Sequence, residues 1–166
     1  MDGVRGLGGS EQVRWLDETE QRAWRAFVAM QGRLTAALHR QLQVDAGMSI
    51  ADYEVLVNLT EAPGGRLRPY ELQRRLLWEQ SRVSHHLVRM QRRGLVDREA
   101  CDDDGRGAFV VVTAAGRAAL EAAAPGHVAA VRRLFFDDLT PEEVALVERL
   151  ASRVVERVDA AAGAAA

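Results

Sequence analysis

Apolar residues recur at three- and four-residue steps over most of this chain. Trp24, Phe27, Leu34, Leu38 and Leu42 share one face of a helix that this spacing extends to about Asp45. Asp17, with Glu20 three residues later, has the spacing of a capping box at its start, and Gly47 closes it. Ser49-Ile50-Ala51-Asp52 is a second cap ahead of Tyr53, Leu56 and Leu59, and Pro63-Gly64-Gly65 stops that helix. Pro69 suits the first position of a third helix, which carries Leu72 and Leu76 inward to about Leu77. Trp78-Glu79-Gln80 reads as a tight turn. Ser81 then reads as the cap of a fourth helix, with Val83, Leu87 and Met90 inward and Gly94 at its end.

After Gly94 the period changes from helix to strand. Residues 95–99 and the β-branched run 109–113 predict a hairpin around the Asp- and Gly-rich turn 102–107. Thr113 is placed to cap a helix over 114–138, which Pro125-Gly126 is expected to kink or break. Thr140-Pro141-Glu142-Glu143 opens a last helix to about Asp159, with Val144, Val147, Leu150, Val154 and Val158 along one side. Two short helices joined by a tight turn and followed by a hairpin predict a mainly α winged helix-turn-helix with a small β wing.

The organisation expected is a mobile tail over 1–15, one regulator domain over 16–159, and a frayed end over 160–166. Within the domain, 49–113 form the DNA-binding lobe, and 16–46 with 114–159 form dimerisation helices. Those helices are too long to serve as simple cover for so small a lobe. A second copy of the chain is the partner expected for their apolar stripes, with Val144, Val147, Leu150, Val154 and Val158 at the interface. A two-fold dimer sets two recognition helices about one helical turn apart, roughly 34 Å, on a pseudo-palindromic site.

Charge sharpens this picture. The chain has 22 basic residues, 24 acidic ones and a formal charge of −2, and every basic residue is Arg. Residues 64–117 nevertheless hold eleven Arg against seven acids, while the remainder holds eleven Arg against 17 acids. A basic head on an acidic frame fits double-stranded DNA as partner, because phosphate binding depends on the local field. With no Lys there is neither a Schiff base nor a Gly-Lys-Ser/Thr phosphate loop. Cys101, the single cysteine, excludes a disulfide framework and a four-cysteine zinc site. No nucleophile–base or paired-carboxylate motif points to an enzyme, and no cofactor or metal is expected. Neither a long apolar run nor a signal-peptide core is present, so a cytoplasmic protein without a membrane contact is expected.

With Val83, Leu87 and Met90 inward, the fourth helix should present Arg82, His85 and Arg89, flanked by Ser81 and Ser84. An Arg82 guanidinium matches the O6/N7 edge of guanine, and the two serines suit phosphates near a helix N-terminus. Arg89, Arg92 and Arg93 are placed for the DNA backbone, and Arg68 for a phosphate ahead of the third helix. His85 and His86 project about 100° apart and do not share a metal; a metal-responsive alternative would add His39 or His127. Oxidant sensing at Cys101 is a further alternative, and Trp78 reads as core.

Several stretches occur together and in order. They are Arg68-Pro69-Tyr70-Glu71-Leu72, the run from Leu76 through Gln80-Ser81-Arg82-Val83-Ser84-His85-His86-Leu87, then Arg93-Gly94-Leu95-Val96, Asp104-Gly105-Arg106-Gly107 and Thr113-Ala114-Ala115-Gly116. In this order the chain resembles the MarR (multiple antibiotic resistance regulator) family over about residues 16–159. The resemblance implies a dimeric winged-helix transcription factor, commonly a repressor, that releases DNA on binding a small, often aromatic or phenolic, ligand. It also implies that Arg106 enters the minor groove or meets phosphate while Asp104 orients it. A ligand pocket would lie where the dimer helices meet the lobe, with Trp24, Phe27 and Tyr53 at hand. The expected function is therefore an effector-responsive repressor. The alternative is a constitutive or architectural DNA-binding protein with no effector.

Overall fold

The computed structural model describes residues 13–100 and 108–164. The first helix, α1 (Glu18–Ala46), starts where the spacing predicts. Asp17 Oδ1 accepts from the N–H groups of Thr19 and Glu20 (both 2.8 Å), and Glu20 Oε2 accepts from Asp17 N–H (2.9 Å). By its contacts the chain divides within α1 into a unit ending at Thr35 and a unit beginning at Ala36. In the first unit Trp24 and Phe27 stack on each other, centroids 5.8 Å apart, and both are exposed.

The second unit holds everything else. Its helices are the remainder of α1, α2 (Ile50–Glu61), α3 (Pro69–Leu76), α4 (Gln80–Arg92), α5 (Ala114–Val131) and α6 (Pro141–Ala164). Strands β1 (Arg66–Leu67), β2 (Val96–Ala100) and β3 (Ala108–Val112) form an antiparallel sheet in the order β1-β3-β2, with Leu67 opposite Val110 and Arg98 opposite Val110 across the other edge. The hairpin expected from the sequence is therefore a three-stranded sheet. β1 is only two residues long, too short to leave a period-2 signature. Leu42, Leu56, Leu59, Leu72, Met90 and Val110 are fully buried in one core, which also takes in Trp78.

Three boundaries differ from expectation. The fourth helix begins at Gln80 with Glu79 at the N-cap position, so Ser81 lies inside the first turn rather than capping it. Pro125 does not break α5, which runs on to Val131; the irregular segment is a π-helical stretch over Arg132–Phe136. α6 continues past Asp159 to Ala164 through a run of alanines, the strongest helix former. No helix among the described residues is long and apolar enough to cross a membrane.

The joints that aim α4 are specific. α4 ends in a Schellman turn: Leu95 N–H donates to Met90 O (3.0 Å), Gly94 N–H to Gln91 O (2.9 Å), and Gly94 takes φ 73°. Thr113 Oγ1 then donates to Gly94 O (2.6 Å) and accepts from Gly116 N–H (2.9 Å), tying the start of α5 to the end of α4. A Cβ at Gly116 would stand 2.0 Å from Leu95 O, so only glycine permits this approach. That contact is the physical content of the Thr-x-x-Gly stretch.

Candidate nucleic-acid interface

α4 buries Val83, His86, Leu87 and Met90. His86 shifts the buried face to one side of the stripe expected from Val83, Leu87 and Met90. At about 100° per residue, Ser81, His85, Val88 and Arg92 then point directly outward, with Ser84 on one shoulder. Arg82 and Arg89 lie on the other shoulder, the one nearest His86, rather than beside His85 at the crest. All seven of these side chains are exposed. Val88, at the centre of the outward face, is not among the contacts expected from the sequence, because a lone exposed valine has no signature in a polar stretch.

Each shoulder arginine rests on a buried ring. The Arg82 guanidinium lies over Trp78, 4.1 Å from the ring centroid. Arg89 Nη2 donates to His86 Nδ1 at 2.8 Å. Trp78 and His86 meet edge to face, with centroids 5.3 Å apart and planes at 85°. Arg has no acceptor, so the ring nitrogen facing Arg89 is unprotonated and the ring proton sits on Nε2. That nitrogen lies 3.1 Å from Asp52 Oδ1, at ion-pair distance but out of line for a full hydrogen bond.

Asp52 is the anchor beneath. Its Oδ2 accepts from Ser49 N–H (3.0 Å) and from Arg93 Nη1 (2.7 Å), and Ser49 Oγ accepts from Asp52 N–H (3.0 Å). Burial alone would raise its pKa. The contacts with His86, Arg93 and Ser49 outweigh burial and hold the carboxyl well below the usual carboxylate range. Arg93 also donates from Nη2 to Gly47 O (3.2 Å). Expected at the DNA backbone, Arg93 is instead a tie between the end of α4 and the start of α2. The local basic charge available to a polyanion is smaller than the arginine count by that much.

Near the wing, two guanidinium groups approach the Phe109 ring, Arg66 at 4.7 Å and Arg68 at 4.9 Å from its centroid. Arg66 also approaches Glu99 at 3.8 Å. Arg68 N–H donates to Glu71 Oε2 (2.7 Å), which sets Arg68 at the N-cap of α3. The sequence-predicted wing-tip pair Asp104 and Arg106, and Cys101, lie outside the described residues.

Of the candidate ligand residues, Tyr53 is half-buried against His127, with ring centroids 4.4 Å apart. Burial raises the Tyr53 pKa and lowers that of His127. His127 Nδ1 faces Gln41 Oε1 at 3.4 Å, and Gln41 Nε2 donates to Asp45 Oδ2 at 3.0 Å. His39 accepts from Ile50 N–H at 3.4 Å. Among the described residues, no three His, Cys, Asp or Glu side chains gather as a metal site. On α6, Val147, Leu150, Val154 and Val158 are exposed and Val144 is half-buried.

Comparison with known proteins fits this geometry. A family model described as the MarR family matches residues 46–107. The structure is similar to that of AbsC, a MarR family transcriptional regulator from Streptomyces coelicolor, at 40% identity and TM-score 0.84, covering 89% of this chain and 99% of that one. It is similar at 41% identity and TM-score 0.84 to Sco3205, a MarR family transcriptional regulator from the same organism solved in complex with DNA, covering 89% and 92%. A mutant MarR from E. coli is similar at 25% identity and TM-score 0.64, covering 80% and 95%. No curated protein gives a significant match. With a winged helix on these joints and relatives at this identity over nearly the full length of both chains, the protein belongs to the MarR family of transcriptional regulators.

Proposed function

We propose that the protein is a homodimeric DNA-binding repressor that sets α4 into the major groove of a pseudo-palindromic operator and leaves it on binding a small aromatic ligand. The observation that carries this reading is the exposed row on α4, where serines, His85, Val88 and three arginines surround a buried apolar stripe. Its chemistry suits a duplex. Arg82 can meet guanine O6/N7, Val88 a thymine methyl, and Ser81 and Ser84 the phosphates around the helix N-terminus. Arg89 and Arg92 lie further along for the backbone, Arg68 stands at the start of α3, and the pair Asp104 and Arg106 belongs to the wing. The relative solved with DNA supports the same use of the fold.

The dimer reading rests on α6, which has no residue buried among the described residues although Leu146, Leu150, Val154, Val155 and Val158 lie along it. Fully burying one Val or Leu contributes about 1.5–3 kcal/mol, so a second copy that covers this face is strongly favoured. The effector reading rests on aromatic rings that keep some exposure: Trp24 and Phe27, exposed on α1, and Tyr53, half-buried beside His127 and packed on the edge of the core. A ligand that favours one separation of the two recognition helices shifts the population away from the DNA-competent one.

The test is selection of duplexes from a random library by the full-length protein, followed by binding titrations of the enriched sequence. A two-fold-symmetric consensus with salt-dependent affinity is expected, and loss of all sequence preference would contradict the reading. Arg82→Ala should lower discrimination at one base by about 1–3 kcal/mol, whereas Arg92→Ala should weaken selected and random DNA alike. A thermal-shift screen against aromatic acids and phenols tests the effector arm. Uniform silence there favours a constitutive DNA-binding protein.

A further inference from the structure

We propose that Trp78 and His86 are positioning residues for DNA recognition: Trp78 holds the guanidinium of Arg82 and His86 holds that of Arg89. The two cations are thereby set along one shoulder of α4 before DNA arrives. This inference rests on the reading of α4 as the DNA-contacting helix and adds which buried groups make it effective.

An exposed arginine on a helix samples many rotamers, and ordering it on a partner costs about 0.5–1.5 kcal/mol. Arg82 and Arg89 have already met much of that cost. The Arg82 guanidinium lies over the Trp78 ring, 4.1 Å from its centroid. Among the described residues it makes no hydrogen bond or ion pair, so the N–H edge of its guanidinium is open to a base or phosphate. Arg89 uses one nitrogen on His86 Nδ1 at 2.8 Å and retains its other donors.

The two supports are themselves one unit. The Trp78 ring meets His86 edge to face, and His86 Nε2 lies 3.1 Å from Asp52 Oδ1. Asp52 is fixed in turn by Ser49 N–H and Arg93. Trp78 follows directly on the close of α3, where Leu77 takes the left-handed conformation (φ 53°) and its N–H donates to Gln73 O. Trp78 N–H donates to Gln73 O (3.2 Å) across that turn, which directs the indole under Arg82. A histidine needed only to fill space would have no requirement for an acceptor aimed at an exposed arginine.

Double-mutant cycles on the full-length protein test this, using the duplex enriched by the wild-type chain and a random duplex at one salt concentration. His86→Phe keeps the ring and removes the acceptor. It should weaken the enriched duplex about three- to tenfold. In an Arg89→Ala background the same substitution should change affinity by less than about twofold, and His86→Asn, which returns an acceptor, should recover binding. Trp78→Leu should likewise matter only while Arg82 is present, and Trp78→Tyr should recover. The Trp78–Arg82 cycle is separate from the first, so a His86 variant that fails to fold leaves the test intact. Losses that add in both cycles overturn the positioning role while leaving α4 as the reading helix. Failure of the wild-type chain to enrich any duplex overturns the DNA reading and this proposal with it.

Discussion

The lobe around α2, α3 and α4 and the long helix α6 solve the same problem in opposite ways. In the lobe, leucines and methionines reach zero exposure and the buried polar groups Asp52 and His86 face each other. α6 is as rich in valine and leucine along one side, yet Val154 and Val158 are 58% and 61% exposed. The lobe is completed by its own chain, whereas α6 carries an apolar face that none of the described residues covers. A single sequence thus encodes one apolar surface that folds into a core and another that stays exposed among the described residues, and the burial pattern tells them apart where hydrophobic periodicity does not.

The contrast breaks most severely at Gly116. Adding a Cβ there drives it to 2.0 Å from Leu95 O and 2.9 Å from Leu95 C, both backbone atoms that cannot rotate away. Gly116→Ala should therefore destabilise the lobe by more than about 4 kcal/mol, among the largest effects a single methyl produces. Urea unfolding followed by tryptophan fluorescence reads it, and a loss below about 1 kcal/mol would show that α5 can lift off Leu95 without harm. The second effect falls on the other region. If α6 forms the proposed interface, Leu150→Asp with Val154→Asp should weaken dimerisation by at least about a thousandfold, from lost apolar burial and two unpaired charges placed on that face. Sedimentation should then find monomers whose lobe still unfolds cooperatively. Unchanged dimers would place the partner elsewhere.

The same contrast explains what can be read from residues alone. Helix spans, the Asp17 and Ser49 boxes and the stripe on α6 follow from spacing, because period and capping are local. β1 escapes such a reading because two residues carry no period. Arg93 reads as a DNA-backbone contact because its partner Asp52 lies 41 positions away, and no local pattern announces an ion pair of that separation. His86 reads as no more than a neighbour of His85, although its phase on the helix with Val83 and Met90 marks it as inward. Following that phase moves Arg82 and Arg89 to the shoulder of α4, where Trp78 and His86 hold them.

Asp52→Asn sharpens the comparison by removing charge from the lobe while leaving α6 untouched. Asparagine still offers an oxygen to Ser49 N–H, but the partner of Arg93 and His86 is lost. A destabilisation of about 2–3 kcal/mol at neutral pH is expected, toward the lower end for a broken pair because Arg93 remains half-exposed. The folded-state pKa of Asp52 is depressed, so its contribution is present above the unfolded value near 3.8 and is lost as pH falls below it. Wild-type stability should thus drop on acidification below about pH 4–5, and the asparagine variant should drop less over the same window. Parallel pH profiles would mean that Asp52 is protonated as readily in the folded chain as in the unfolded one.

The smallest effects come from one device used in both regions. Ser49 caps α2 through a reciprocal pair of bonds at 3.0 Å inside a partly buried joint that also seats Asp52. Thr140 caps α6 through a similar pair, 2.8 and 3.2 Å, in the open. Exposed N–H groups freed at Thr140 can turn to water, so Thr140→Ala should cost about 0.5–1 kcal/mol. At Ser49 the freed Asp52 N–H has no such access, and the carboxylate loses part of its alignment toward Arg93 and His86. Ser49→Ala should cost up to about 2 kcal/mol and should also lower affinity for selected DNA, because the support of Arg89 begins at this cap. Thr140→Ala should leave affinity unchanged. If the two caps prove equal in stability and silent in binding, the lobe is not the more interlocked region that its burial describes, and its polar network does no more than fill the joint.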